Sequence, residues 1–201
     1  MNKALPQQHT GAQSDTTHTI TARTEEQAGQ LFQKACKNLL DVNNWKQLAG
    51  TLSASFELID KQGKKVYRAA QEGDYFKINL PAPGNESGHG YDWVQVEKID
   101  KQLAETGSQH IIMQVRPAQH PTEQQPESSH FFTSDATSSF CVERKGRSVT
   151  AAVHGRNEKP NTHTGGWLNK FRNAIIGFLA MLGMNKPQWK ALVKGILEKE
   201  V

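Results

Sequence analysis

Apolar residues recur with two different periods along this chain, and the switches between them mark out its elements. From 25 to 40, Ala28, Leu31, Phe32, Ala35, Cys36, Leu39 and Leu40 follow the i, i+3, i+4, i+7 spacing that lines one face of a helix. Thr24 stands where an N-cap belongs, Glu25 and Glu26 fall in the first turn, and Gln27 holds the capping-box position. A short helical turn around Trp45 and Leu48 ends at Gly50. The period then drops to two. Phe56 and Leu58 alternate within 53–60, and a glycine-containing loop, 61–64, leads to a predicted strand over 66–69. Phe76, Ile78 and Leu80 share a strand face that Pro81 and Pro83-Gly84 terminate, and Val94 and Val96 resume the alternation. Residues 98–107 read as a polar half-turn before a strand over 110–116, where Ile111, Met113 and Val115 share a face. A hairpin follows, 138–144 and 148–154, across Lys145-Gly146-Arg147. Two helices close the chain. Leu168, Phe171, Ile175, Phe178, Leu179 and Leu182 stripe the first, stopped by Gly183. In the second, Asn185 is the cap, Pro187 lies in the first turn, and Trp189, Leu192, Val193, Ile196 and Leu197 are apolar.

Strands in series, without helical crossovers, imply an antiparallel sheet. The predicted fold is therefore α+β: about six or seven strands with an N-terminal helix and two C-terminal helices. That order is compatible with a helix-grip arrangement, in which a curved sheet wraps a long C-terminal helix, and equally with a small barrel flanked by helices.

Composition refines the domain plan. Residues 1–24 carry one Leu and one Ile among Gln, Thr, His and Ser, too little apolar surface to order themselves, so they read as a disordered tail before a single domain over 25–201. Residues 117–137, rich in Pro, Gln, His and Ser, read as a mobile insertion. The N-terminus has no apolar run of the signal-peptide type, and no run reaches the roughly 18–20 residues of a transmembrane segment. The two cysteines, Cys36 and Cys141, have no framework spacing and read as buried reduced thiols, which places the protein in the cytoplasm. The net charge of +4 resides in residues 166–201, while 1–165 balance. Such an end could hold an acidic protein partner or an anionic membrane surface.

Candidate chemistry is sparse. His89 and Asp92 lack further ligands at metal-like spacing, so no metal or other cofactor is expected. Ser134-Asp135 with His130 or His154 has no nucleophile elbow around it. The segment Gly84, Gly88, Gly90 precedes no helix that could hold a phosphate. Aromatic and basic residues interleave only at Tyr75-Phe76-Lys77, which speaks against nucleic acid as a partner. The densest polar group outside the termini, His154 to Glu158, follows the small inner-face residues Ala151 and Val153. It reads either as a cavity mouth where Arg156 meets an anionic group or as a turn tying Arg156 to Glu158.

Gly73-Asp74-Tyr75-Phe76-Lys77-Ile78, Pro81-Ala82-Pro83-Gly84, Gly90-Tyr91-Asp92-Trp93-Val94, Thr137-Ser138-Ser139-Phe140, Gly155-Arg156-Asn157-Glu158, Pro160-Asn161, Arg172-Asn173 and Gln188-Trp189-Lys190 with Leu192-Val193-Lys194-Gly195 together resemble a family of uncharacterised bacterial proteins. The resemblance spans roughly residues 40–200 and implies a bacterial, cytoplasmic protein built as one domain, with no catalytic residue carried over.

The function read from the sequence is binding, not catalysis: an apolar or amphipathic small molecule held between sheet and C-terminal helix. Phe76, Trp93, Met113, Val153 and Phe178 would line the pocket, with Arg116 and Arg156 at its polar ends. Two alternatives stay open. One is an interaction module using the basic helices of 166–201. The other is a hydrolase-like enzyme in which the Tyr91-Asp92 loop converges on His154.

Overall fold

A computed structural model of the chain describes residues 5–50, 54–79, 91–103, 108–122, 135–158 and 186–199. In chain order these form β1 (Ala12–Thr21), α1 (Glu25–Leu40), a 3-10 turn (Val42–Asn44), α2 (Trp45–Ala49), β2 (Ser55–Ile59), β3 (Tyr75–Asn79), β4 (Asp92–Gln102), β5 (Gln109–Pro117), β6 (Thr137–Lys145), β7 (Ser148–Glu158) and α3 (Lys186–Glu198). The strands make one antiparallel sheet in the order β1-β7-β6-β5-β4-β3-β2. Its two edges, β1 and β2, do not pair with each other. The sheet is thus open, which separates a helix-grip arrangement from a closed barrel.

All three helices pack on one face of the sheet. Ala28, Phe32, Ala35 and Leu39 of α1 meet Phe140, Val142, Val149, Ala151 and Val153 in one buried cluster with Trp189, Leu192, Val193, Ile196 and Leu197 of α3. Trp45 of α2 is its hub, with ring centroids 5.3 Å from Phe56, 5.6 Å from Phe76 and 4.6 Å from Phe140. Its indole N–H donates toward the carbonyls of Asn38 and Leu39, so the ring is buried without an unsatisfied donor. Trp189 of α3 completes the group, 5.6 Å from Phe140.

The local signals of α1 hold. Thr24 is the N-cap and its hydroxyl accepts from the Gln27 amide. Gly50 stops α2 at φ 95, and Gly146 turns the β6–β7 hairpin at φ 55, conformations that favour glycine.

Three sequence expectations change. Residues 12–21, assigned to a disordered tail, form the edge strand β1, paired along its length with β7. The neighbouring strand supplies the ladder bonds that this polar, threonine-rich run could not offer alone, and Ile20 packs onto the core. The predicted strand over 66–69 does not form. One bridge, Ile59 to Lys65, is made there; the Asn43 amide then takes the Val66 carbonyl, and Ala70 N donates to Leu40 O, drawing the chain toward the helices. The polar stretch from Lys98 to Gln102 is part of β4, carried past a register shift between Val96 and Lys98. The expectation of about six or seven strands is met by seven among the described residues, with one member exchanged. The first predicted C-terminal helix, 168–182, and residues 123–134 of the 117–137 insertion lie outside the described residues.

Candidate functional site

Strand parity divides the residues that the sequence assigned to one pocket. Phe76, Met113 and Val153 point to the helix-covered face and are packed into the core. Trp93 pairs with Lys77, and Val94, not Trp93, is the partner of Phe76, which puts the indole of Trp93 on the far face. There its ring meets that of His120 at 4.6 Å. Arg116 and Arg156 are far-face residues too: the Arg116 guanidinium stands 2.7 Å from the Glu97 carboxylate, and that of Arg156 2.8 Å from Asp15. Phe178 lies outside the described residues. Met113 with Arg116, and Val153 with Arg156, are three apart on a strand and so face opposite ways, a parity visible in the sequence itself.

The hydrolase-like convergence is not made either. Tyr91, at the start of β4, lies under the Lys77 ammonium at 3.7 Å. His154 is on β7, with β5 and β6 between them. Three strand spacings amount to about 14 Å, far beyond hydrogen-bond reach. Among the described residues no group of three or more His, Cys, Asp or Glu could hold a metal. No helix of the described residues is long and apolar enough to cross a membrane. The apolar stripe of α3 is consumed by the core, which leaves Lys190 and Lys194 on its exposed side.

The structure instead opens a cavity of about 990 Å³ between the C-terminal half of α1, the 65–69 segment and the β4–β5 corner. That is the size of a site for a small organic molecule. Its wall is built by specific bonds. The Arg68 guanidinium grips the buried Asp74 carboxylate in a two-pronged pair, at 2.6 and 2.8 Å, and the same carboxylate accepts from Gln71 N at 2.9 Å. Asn43 bridges two segments, donating to Val66 O at 2.9 Å and accepting from Leu58 N at 3.0 Å. Asn38 donates to Ile196 O and Lys199 O, tying α1 to α3. The wall is therefore preorganised, its polar groups mostly satisfied by the protein.

Charge and apolar surface meet at this cavity. Five cations line it, Lys34, Lys37, Lys65, Arg68 and Lys101, against the single carboxylate of Asp41. Arg68 is held by Asp74 and Lys65 by Glu57 at 2.7 Å. Lys34, Lys37 and Lys101 line the same cavity and form no ion pair among the described residues. Leu40, Cys36 and Ile111 contribute apolar lining, and burial pushes the Cys36 thiol up to about 12, so it is a neutral, unreactive surface. At the rim stand Tyr67, 80 % exposed, and Leu103, 53 % exposed, the two large exposed hydrophobics of the described chain. The sequence pattern had a trace of this site: Lys101 keeps the parity of Ile99 on one strand, so it falls on the helix side. The cluster itself depends on three separate segments.

No protein-family model and no curated protein sequence matches this chain. Solved structures do. A hypothetical protein from Helicobacter pylori superposes with a TM-score of 0.50 at 10% identity, covering 94% of this chain and 87% of that one. Norcoclaurine synthase from Thalictrum flavum gives 0.42 at 10% identity over 97% and 96%. The di-domain aromatase/cyclase BexL of the BE-7585A biosynthetic pathway gives 0.38 at 11% identity over 94% and 51%. With its seven-stranded open antiparallel sheet and the described helices on one face, the chain has a helix-grip fold, shared in outline with the Helicobacter pylori protein.

Proposed function

We propose that this protein binds an anionic, amphipathic small molecule in the cavity between α1, the 65–69 segment and the β4–β5 corner. The observation that carries the reading is the pairing of three uncommitted lysines with an exposed apolar rim on one preorganised cavity. Lys34, Lys37 and Lys101 hold the charged group, and Ile111, Leu40, Leu103 and Tyr67 receive the apolar body. The site lies apart from the interface of sheet and C-terminal helix that the sequence suggested, because the described part of α3 closes directly on Phe56 and Phe140 through Trp189.

Titration with 1-anilinonaphthalene-8-sulfonate, an anionic aromatic that fluoresces in apolar surroundings, tests this. The expected result is saturable binding that decanoate displaces at least about tenfold better than decanol, since the two differ in charge and share an apolar tail. The triple variant Lys34→Glu, Lys37→Glu, Lys101→Glu should abolish it. Equal displacement by acid and alcohol, with no effect of the lysine substitutions, would remove the proposal.

A further inference from the structure

The two large hydrophobic side chains that stand exposed among the described residues, Tyr67 and Leu103, both sit at the mouth of one cavity. Isolated exposed apolar residues are ordinary on a protein surface. Two that come from distant parts of the chain and meet at one opening form a patch with a place in the fold. Neither stands on a loose end. Just before Tyr67, Val66 N donates to Leu58 O at 2.9 Å and Val66 O accepts from the Asn43 amide. Just after it, the Arg68 guanidinium is held by the Asp74 carboxylate. The Leu103 carbonyl accepts from the Gln109 side-chain amide at 3.1 Å, and Gln109 Oε1 accepts from Arg144 at 2.9 Å. Tied backbone therefore carries both exposed side chains.

The ring around them is cationic. Lys34 and Lys37 are three apart on α1 and so share a helix face; Lys101 stands two residues before Leu103 and has its strand parity. Lys65 Nζ lies 5.4 Å from the centre of the Tyr67 ring while its ammonium meets Glu57. Among the described lining residues Asp41 is the one carboxylate. Tyrosine joins an apolar ring to a polar hydroxyl, and lysine carries a charged head on an apolar stem. Both side chains suit a boundary between water and hydrocarbon.

We propose that the cavity mouth docks on an anionic lipid bilayer, with Tyr67 and Leu103 entering the headgroup layer and Lys34, Lys37 and Lys101 facing the lipid anions. A pair of apolar side chains holds a bilayer weakly, and so do a few lysines; together they make the two signals that stable attachment requires. The surface is distinct from the basic C-terminal end, since the apolar stripe of α3 is spent in the core and leaves nothing to insert. Docking sets the opening against the membrane, so the bilayer becomes the source of the anionic amphipath, a consequence that rests on the cavity being its binding site.

Flotation of the full chain with phosphatidylcholine vesicles, with and without about 30 mol% phosphatidylserine, tests this at about 0.1 M salt. The expected partition is at least about tenfold higher on the anionic vesicles and is mostly lost at about 0.5 M salt. Tyr67→Ser with Leu103→Ser should lower it about tenfold, whereas Tyr67→Trp should keep it. Lys34→Glu with Lys37→Glu should abolish it. Lys190→Glu with Lys194→Glu, the same change of net charge placed on α3, should leave most of it. No binding to anionic vesicles, or equal loss from the two lysine pairs, overturns the proposal. So does binding indifferent to the serine pair, the mark of a purely electrostatic surface suited to an acidic protein. A chain that binds vesicles but has no saturable site for 1-anilinonaphthalene-8-sulfonate keeps the docking and overturns the cavity reading; a chain that binds the dye and no vesicle overturns the docking alone.

Discussion

Lys101 on β4 and Ile111 on β5 are direct cross-strand partners on the helix-covered side of the sheet. A lysine thus pairs across the strands with a residue that is 2 % exposed, and both line the cavity where the core gives way to it. An aliphatic stem along apolar surface with a charged head toward solvent suits such a border.

Lys101→Leu separates the two roles of that position. Stability should change by no more than about 0.5 kcal/mol, as for other solvent-facing positions. The affinity for 1-anilinonaphthalene-8-sulfonate should fall about three- to tenfold, because one of three uncommitted cations is gone. Urea denaturation and fluorescence titration read the two effects independently.

Asp74→Ala attacks the wall of the cavity. It strips Arg68 of its two-pronged partner and Gln71 N of its acceptor. Since Arg68 is partly exposed, the expected loss is about 1–3 kcal/mol, not the larger cost of a fully buried pair. Probe affinity should fall with it, and Asp74→Asn should recover part of both. If Asp74→Ala left the denaturation midpoint where it was, the 65–69 wall would not depend on this pair.

Gly195→Ala should destabilise the protein although it raises helix propensity. A methyl at Gly195 would run into the Leu48 carbonyl, a backbone group that cannot swing aside. The expected cost is about 1–3 kcal/mol, larger than the propensity gain of about 1 kcal/mol. An unchanged or higher thermal midpoint would show that α2 and α3 are less closely joined than the structure has them.

The pH dependence of stability should carry opposite signs at two neighbouring carboxyls. Glu158 binds its proton more tightly in the folded chain, so its contribution falls as pH rises from about 4.5 to about 7. Burial pushes Asp15 up, but hydrogen bonds from Gln13, His154 and Arg156 outweigh it and hold the group below its ordinary 3.8. The Asp15 contribution is therefore present above that value and lost as pH falls through the folded one. Thermal melts across pH 4.5 to 8 should show the decline for the native chain and a flatter profile for Glu158→Gln.

Much of the fold was legible because the signals were local. The stripe and cap of α1, Gly50 after α2, the Lys145-Gly146-Arg147 hairpin and the five buried residues of α3 each depend on spacing within a few turns or residues. β1 was not legible, since as an edge strand it needs few apolar residues and draws its order from β7, more than a hundred residues on. The segment 66–69 misled in the other direction. Its β-branched and aromatic residues suit a strand, but Asn43 takes the carbonyl that a ladder would use.

The candidate site shows the same division. Residue types and strand parity, read from the chain alone, establish which side chains are apolar, which are charged and which share a face. That is enough for an antiparallel α+β sheet with helices on one side. Tertiary structure decided which faces meet: it sealed Phe76, Met113 and Val153 in the core and gathered Lys34, Lys37 and Lys101 around an opening. The physical reason is range. Period and capping are set by neighbours along the chain, whereas a cavity is set by how three distant segments fail to fill the space between them.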